Sequence, residues 1–138
     1  MIAMVLVAHS LELATGLRRM LAQASPSVPV RIAAGMDGSR LGTSALAVEK
    51  ALRSALGDAG GDDVLVLLDL GSGAMAIEVA IESLPPGDRA RVRVSGAPFV
   101  EGAILASVAA AAGASIDGVL AAAAGSSAMP KLPDDWPR

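Results

Sequence analysis

The sequence predicts a single-domain α/β fold, a mostly parallel four-stranded sheet with helices on both faces. Two observations predict it. Short β-prone apolar runs alternate four times with longer segments of helical period, the order that builds a parallel sheet through crossover helices. The runs are also continuous, "IAMVLVA" and "VLVLLDL" above all, as expected of strands covered on both faces. At 138 residues the chain has the length of one domain with one core.

The first strand is read over Ile2–Ala8. From Ser10 to Ala24 the period lengthens: Leu13, Leu17, Met20, Leu21 and Ala24 recur at helical intervals, and Ser10 is placed to cap the helix. "SPSVP" ends that helix. The second strand is Val28–Ala34, followed by the loop "GMDGSRLG". A second helix over Thr43–Leu56 is capped by Thr43 or Ser44, with Leu46, Leu52 and Leu56 among its apolar positions. After the turn "GDAGGDD" comes the third and most apolar strand, Val64–Leu70. "GSG" leads into a helix over Ala74–Leu84, which "PPGD" stops. The fourth strand, Ala90–Gly96, is more polar. Helices over Val100–Ala112 and Ser115–Ala124 end the fold, with a break at Gly113. The domain therefore occupies residues 1–125, and the proline-containing residues 126–138 read as a flexible C-terminal tail.

Composition narrows the function. Hydrophobic residues make up 53% of the chain before its 15 glycines are added, above the ~45–50% usual with glycine included. Much of the excess is alanine, which packs helices closely, and the remainder suits a subunit interface. The net charge of −3, with no basic patch that would neutralise phosphates, argues against nucleic acid. With no cysteine there is neither a disulfide framework nor thiolate chemistry. The N-terminus lacks a basic leader and a small-residue cleavage pattern, and the apolar tract between Glu101 and Asp117 is too short to span a bilayer. A cytoplasmic protein is the expectation.

In parallel sheets ligands bind outside the carboxyl ends of the strands, where the strand order switches. The four carboxyl ends here carry His9-Ser10, Gly42-Thr43-Ser44, Asp69-Leu70-Gly71-Ser72-Gly73, and Ala97 to Gly102. His9 is the only histidine in the chain. A neutral imidazole attacks a phosphoryl group when its other nitrogen keeps a proton, and a carboxylate that accepts this proton fixes the tautomer. Asp69 is the candidate carboxylate. Helix N-terminal N–H groups, with Gly42 among the phosphate-supporting positions, and the hydroxyls of Ser10, Thr43, Ser44 and Ser72 suit the phosphoryl oxygens, and Gly71 and Gly73 permit close backbone approach. Each residue also has a plain structural role open to it: His9 as a loop residue, the hydroxyls and Asp69 as helix caps, the glycines as turn punctuation. The case rests on their convergence.

Other chemistries lack their residues. There is no G-x-x-x-x-G-K-[ST], and Lys50 and Lys131 are the only lysines. No G-x-G-x-x-G follows a strand, and "DLGSG" is not a G-x-S-x-G nucleophile elbow. One histidine with no cysteine is too few ligands for zinc, so no metal is expected.

"VAHS", "AAGMDGSRLGTS", "VLVLLDLGSGAM" and "GAPFVEGA", in this order over residues 1–125, resemble the DhaM-type phosphotransferase subunits of bacterial PEP-dependent dihydroxyacetone kinases. Those subunits are similar in fold to mannose-class enzyme IIA domains of the phosphotransferase system. "DLGSGAMAIEVA" departs from the family pattern at Gly73 and Ala76. The resemblance implies that His9 is phosphorylated by the histidine phosphocarrier HPr, with Asp69 beside it. It implies transfer from His9 to ADP held by the DhaL subunit, with dihydroxyacetone bound by DhaK, and no cofactor on this subunit itself. It also implies a homodimer. Some members continue into HPr-like and enzyme I-like domains, whereas this sequence stops at Arg138, which implies a separate donor. Two alternatives share the His9 chemistry: a sugar-transport enzyme IIA that delivers to a IIB protein, and a regulatory dimer in which phospho-His9 is a signal.

Overall fold

A computed structural model describes residues 1–36 and 40–138. The middle of the expected "GMDGSRLG" loop, residues 37–39, lies outside the described residues. The elements run β1 (Ala3–Ala8), α1 (Leu11–Ala24), β2 (Val30–Ala34), α2 (Ala45–Ala59), β3 (Val64–Leu68), α3 (Ala74–Glu82), α4 (Pro86–Arg89), β4 (Val92–Ser95), α5 (Phe99–Ala111) and α6 (Ile116–Gly125). The four strands form one sheet in the order β2-β1-β3-β4, with every pairing parallel.

The sheet is the middle of three layers. Side chains alternate across a strand, and β1 divides accordingly. Ala3, Val5 and Val7 pack with Val48, Leu52 and Ala55 of α2 and Ile77 and Ala80 of α3. Met4 and Leu6 face Leu17 and Leu21 of α1, Ala103 and Ala106 of α5, and Val119 and Ala123 of α6. All six residues of β1 are buried, which is why the sequence there shows no polar alternation. No described helix is long and apolar enough to cross a membrane.

The elements differ from the sequence reading at several points. In α1 the buried stripe is Ala14, Leu17 and Leu21, while Leu13 and Met20 face outward. Leu46 is likewise exposed at the start of α2, and the helix runs one turn further than expected because Leu56 and Ala59 are both buried before the cap at Gly60. "PPGD" does not merely stop α3. It opens the short helix α4 with Pro86 in the first turn, where the missing N–H costs nothing. The expected break between the last two helices is present, with Gly113 at φ +83°. Beyond α6, Ser126 is buried in a short 3-10 turn and donates to the Ala123 carbonyl. Further along, Lys131 forms an ion pair with Glu101 at 2.7 Å.

Gly102 explains how α5 reaches the sheet. A Cβ on that residue would lie 2.9 Å from the Ala97 Cβ and 3.3 Å from the Leu67 Cδ2. Only a glycine lets the first turn of α5 settle this close to the end of β3. The chain leaves β1 toward β2 on one side and returns with β3 on the other, so the switch in strand order falls between β1 and β3. Val7 stands beside Leu68 in the register, and His9 and Asp69 emerge together at that point.

Candidate functional site

His9 and Asp69 follow β1 and β3 directly, and their contact is double. The backbone N–H of His9 donates to Asp69 Oδ2 at 3.0 Å. The ring Nδ1 lies 3.0 Å from Asp69 Oδ1. An ionised carboxylate has no proton to give, so Nδ1 carries the hydrogen and donates it. The neutral ring then has its lone pair on Nε2, and the Ser72 hydroxyl, 2.9 Å away, donates to it. The imidazole is 25% exposed and the carboxylate 9%. The anchoring group is thus nearly buried, and the nucleophilic edge of the ring faces outward.

Asp69 is oriented by the chain that follows it. Leu70 N–H donates to Oδ1 at 2.8 Å, and Asp69 N–H donates to the Val7 carbonyl at 3.1 Å. Burial pushes the Asp69 carboxyl up, but hydrogen bonds from the His9 backbone, the His9 ring and Leu70 outweigh it and hold the group below its ordinary value. Asp69 is therefore a carboxylate at neutral pH, the form that the tautomer argument requires.

The remaining predicted residues surround this pair in different ways. Ser72 sits in a 3-10 turn, Gly71–Gly73, that runs into α3. Gly73 is buried with the Thr43 methyl 3.7 Å from where its Cβ would be, so Thr43 contributes packing at this point. A Cβ on Gly71 would meet no described atom within 4 Å, so close approach does not require glycine there. Gly42 N–H donates to the His9 carbonyl at 2.9 Å. Its amide ties down the His9 backbone and is not free for an anion, contrary to the expected role. Ser10 and Ser44 are N-caps, accepting from Leu13 and Ala47 N–H at 3.3 Å each. Ser10 also donates to Glu12 at 3.1 Å.

Sequence reasoning passed over Gly35 and Leu70. Gly35 has φ +72°, and a Cβ there would lie 3.0 Å from the Arg40 carbonyl oxygen, so only glycine fits the turn beside the His9 backbone. Its signal was its place, directly after the second strand. Leu70 acts through its backbone, its N–H on Asp69 and its carbonyl on Gly73 N–H, which no side-chain reading can find. No group of three or more His, Cys, Asp or Glu among the described residues is arranged to hold a metal ion.

A buried carboxylate, a tautomer-fixed imidazole and an outward lone pair make a nucleophile poised for group transfer without a bound base. The chain is similar to known proteins in sequence and fold. Residues 3–120 match the EIIA-man family model, described as the PTS system fructose IIA component. The chain is 41% identical over 124 residues to the phosphoryl donor subunit DhaM of the PEP-dependent dihydroxyacetone kinase of Escherichia coli strain K12, covering 87% of this chain and 26% of that protein. It spans about a quarter of that relative's length. It is 30% identical over 109 residues to a DhaM subunit of Listeria innocua, covering 78% of this chain and 85% of that one. Among solved structures, protein EF1359, of unknown function, superimposes with a TM-score of 0.77 at 26% identity, over 89% of this chain and 92% of that one. A DegV family protein of Corynebacterium glutamicum shares the fold alone, with a TM-score of 0.60 at 24% identity over 88% of this chain and 47% of the other.

Proposed function

The chain belongs to the EIIA-man family of PTS IIA components, and we propose that it is the phosphocarrier subunit of a dihydroxyacetone kinase, with His9 as the residue that carries the phosphoryl group. One observation carries this reading: Nδ1 is committed to Asp69, so the lone pair is on Nε2, where its partner is the exposed and displaceable Ser72 hydroxyl. In the first transfer Nε2 forms a bond to phosphorus as the P–N bond to phospho-HPr breaks. The Nδ1 proton stays in place, and the carboxylate of Asp69 stabilises the positive charge that develops on the ring. In the second transfer a terminal phosphate oxygen of ADP, held by DhaL, attacks the same phosphorus opposite Nε2, the P–Nε2 bond breaks with its electron pair returning to the ring, and the neutral tautomer with its proton on Nδ1 is restored. DhaK then presents dihydroxyacetone to the ATP so formed. Positioning and charge stabilisation supply the catalysis, and the subunit needs no cofactor of its own.

The Ser72 hydroxyl occupies the place of the incoming group and turns to donate to a phosphoryl oxygen once Nε2 is modified. The working form is a cytoplasmic homodimer. An apolar cavity of about 450 Å³ between α3 and the free edge of β4, lined by Leu68, Ile77, Ile81 and the exposed Val94, offers the surface on which two copies close.

A second reading, a sugar-transport enzyme IIA that passes the group to a IIB protein, has the wording of the matched family model in its favour. The relatives' names favour the kinase. The test is intact-protein mass after incubation with phosphoenolpyruvate, enzyme I and HPr, for the wild type and His9→Ala. One acid-labile phosphoryl group on the wild type only, discharged by ADP-loaded DhaL, is the expected result. A phosphoprotein that DhaL leaves charged and a IIB protein discharges overturns the kinase reading in favour of sugar transport. No phosphorylation overturns both.

A further inference from the structure

β2 is an outer strand of the sheet, and its far edge has no strand partner among the described residues. Because α1 and α2 lie on opposite faces, they stand as two walls beside this edge. The result is a slot of about 350 Å³ lined by Leu11 and Arg18 from α1, Arg31 and Ala34 from β2, and Lys50 and Ser54 from α2. Its cations are distributed: Arg18 on one wall, Lys50 on the other, Arg31 on the strand between them. One carboxylate answers them. Asp58 accepts two hydrogen bonds from Arg31, at 2.7 and 3.0 Å. Arg18 and Lys50 form no ion pair among the described residues. The slot is therefore basic on a chain whose net charge is −3.

The slot opens at the edge of the sheet that carries His9. Ala34 is the last residue of β2, and a Cβ on the following Gly35 would lie 3.9 Å from both the His9 carbonyl oxygen and the Leu11 nitrogen. A second cavity of about 220 Å³ continues from Ala34 and Ala47 toward Ser44 and Met36.

We propose that this slot docks an acidic, extended segment of a protein partner, laid along the free edge of β2. An open strand edge accepts an extended chain through its backbone. The side chains of an added strand alternate between the two faces, so successive carboxylates meet Arg18 on one wall and Lys50 on the other. The same cations repel the identical edge of a second copy, which excludes self-pairing here. The slot has no aromatic lining on which bases would stack. Naming the partner as a protein that exchanges a phosphoryl group with His9 rests on the phosphocarrier reading; the recognition itself does not.

The experiment uses the full chain, isotopically labelled, titrated with N-acetyl hexaglutamate and followed by backbone amide shifts. Saturable shifts are expected at Val30, Ile32 and Ala34, whose N–H groups face away from β1 in the register, weakening as salt is added. The R18E/K50E variant should bind about tenfold more weakly or worse, with an unchanged circular dichroism spectrum. If that reversal does not fold, R18A/K50A takes its place. No saturable shift, or equal affinity in the variant, overturns the proposal. Inorganic polyphosphate moving the same amides at lower concentration also overturns it, in favour of phosphate recognition. Phosphorylation of His9, measured by mass on the same preparation, judges the phosphocarrier reading separately.

Discussion

Asp69 holds His9 at two points, 60 residues away in sequence: Oδ2 accepts from its backbone N–H and Oδ1 from its ring Nδ1, both at 3.0 Å. One carboxylate thereby fixes the loop after β1, the orientation of the ring and its tautomer. That economy is available because the two residues follow adjacent parallel strands at the switch in strand order.

Asp69→Asn should still fold, because one amide oxygen can accept from Leu70 and the His9 ring, but its Nδ2 replaces Oδ2 and leaves the His9 backbone N–H without its acceptor, at a cost in stability. It should slow phosphorylation of His9 by roughly 10²-fold, since the amide does not offset the charge that develops on the ring. Quenched-flow transfer from phospho-HPr measures the rate, and circular dichroism checks the fold. A rate within a factor of two of wild type would remove Asp69 from the mechanism.

The same carboxylate sets an acid limb in stability. Its folded value lies below the ordinary ~3.9 of an aspartate. As pH falls, the unfolded chain takes up this proton first, so the stabilisation from Asp69 is full above the ordinary value and disappears as pH drops through the lower folded one. Asp58 and Glu101, held down by hydrogen bonds from Arg31 and Lys131, act in the same direction. The informative quantity is therefore the difference between wild type and Asp69→Asn in urea unfolding. That gap should hold steady down to the ordinary value of ~3.9 and narrow as pH falls below it, and a gap that stays constant there would sink the assignment.

Ser72→Ala removes the one donor facing Nε2 among the described residues. Stability should hold to within about 0.5 kcal/mol, because the side chain is exposed. Transfer should slow by roughly tenfold, the worth of one hydrogen bond of about 1.4 kcal/mol. The chemistry should still yield a phosphohistidine of the same mass. Loss of all phosphorylation would mean that Ser72 is itself the acceptor.

Val94→Asp tests self-association. Val94 is exposed on the edge strand β4 beside the apolar cavity. A charge there should shift the sedimentation coefficient from dimer toward monomer at micromolar concentration, while His9 remains phosphorylatable. A dimer that survives the substitution is built on another surface.

Most of the architecture could be read from the residues because it rests on burial. The continuous run of β1 is apolar since both of its faces are covered, and the helices betray themselves by caps such as Ser10, Ser44 and Ser115. What misled was amphipathicity. Leu13, Met20 and Leu46 sit at helical intervals and yet face outward, and alanines such as Ala14 and Ala51 do the burying instead. His9 and Asp69 were found by position, as the polar residues ending two strands. The part played by Gly42 was not, because its amide bonds to a backbone carbonyl that no side-chain pattern records.

Gly102→Ala sets two effects against each other. Alanine gains about 1 kcal/mol over glycine inside a helix. Its methyl, however, would arrive 2.9 Å from the Ala97 Cβ and 3.3 Å from the Leu67 Cδ2. Overpacking of this kind costs about 1–3 kcal/mol, and neither neighbour can yield easily: Ala97 has no rotamer to change, and Leu67 is buried in the central layer. The steric term should win, for a net loss of about 1 kcal/mol in urea unfolding. Since α5 would move outward from the end of β3, the amides of Leu67 and Ala97 should exchange faster than in wild type. A stabilised variant would show that α5 shifts freely on the sheet and that glycine is not what lets it approach.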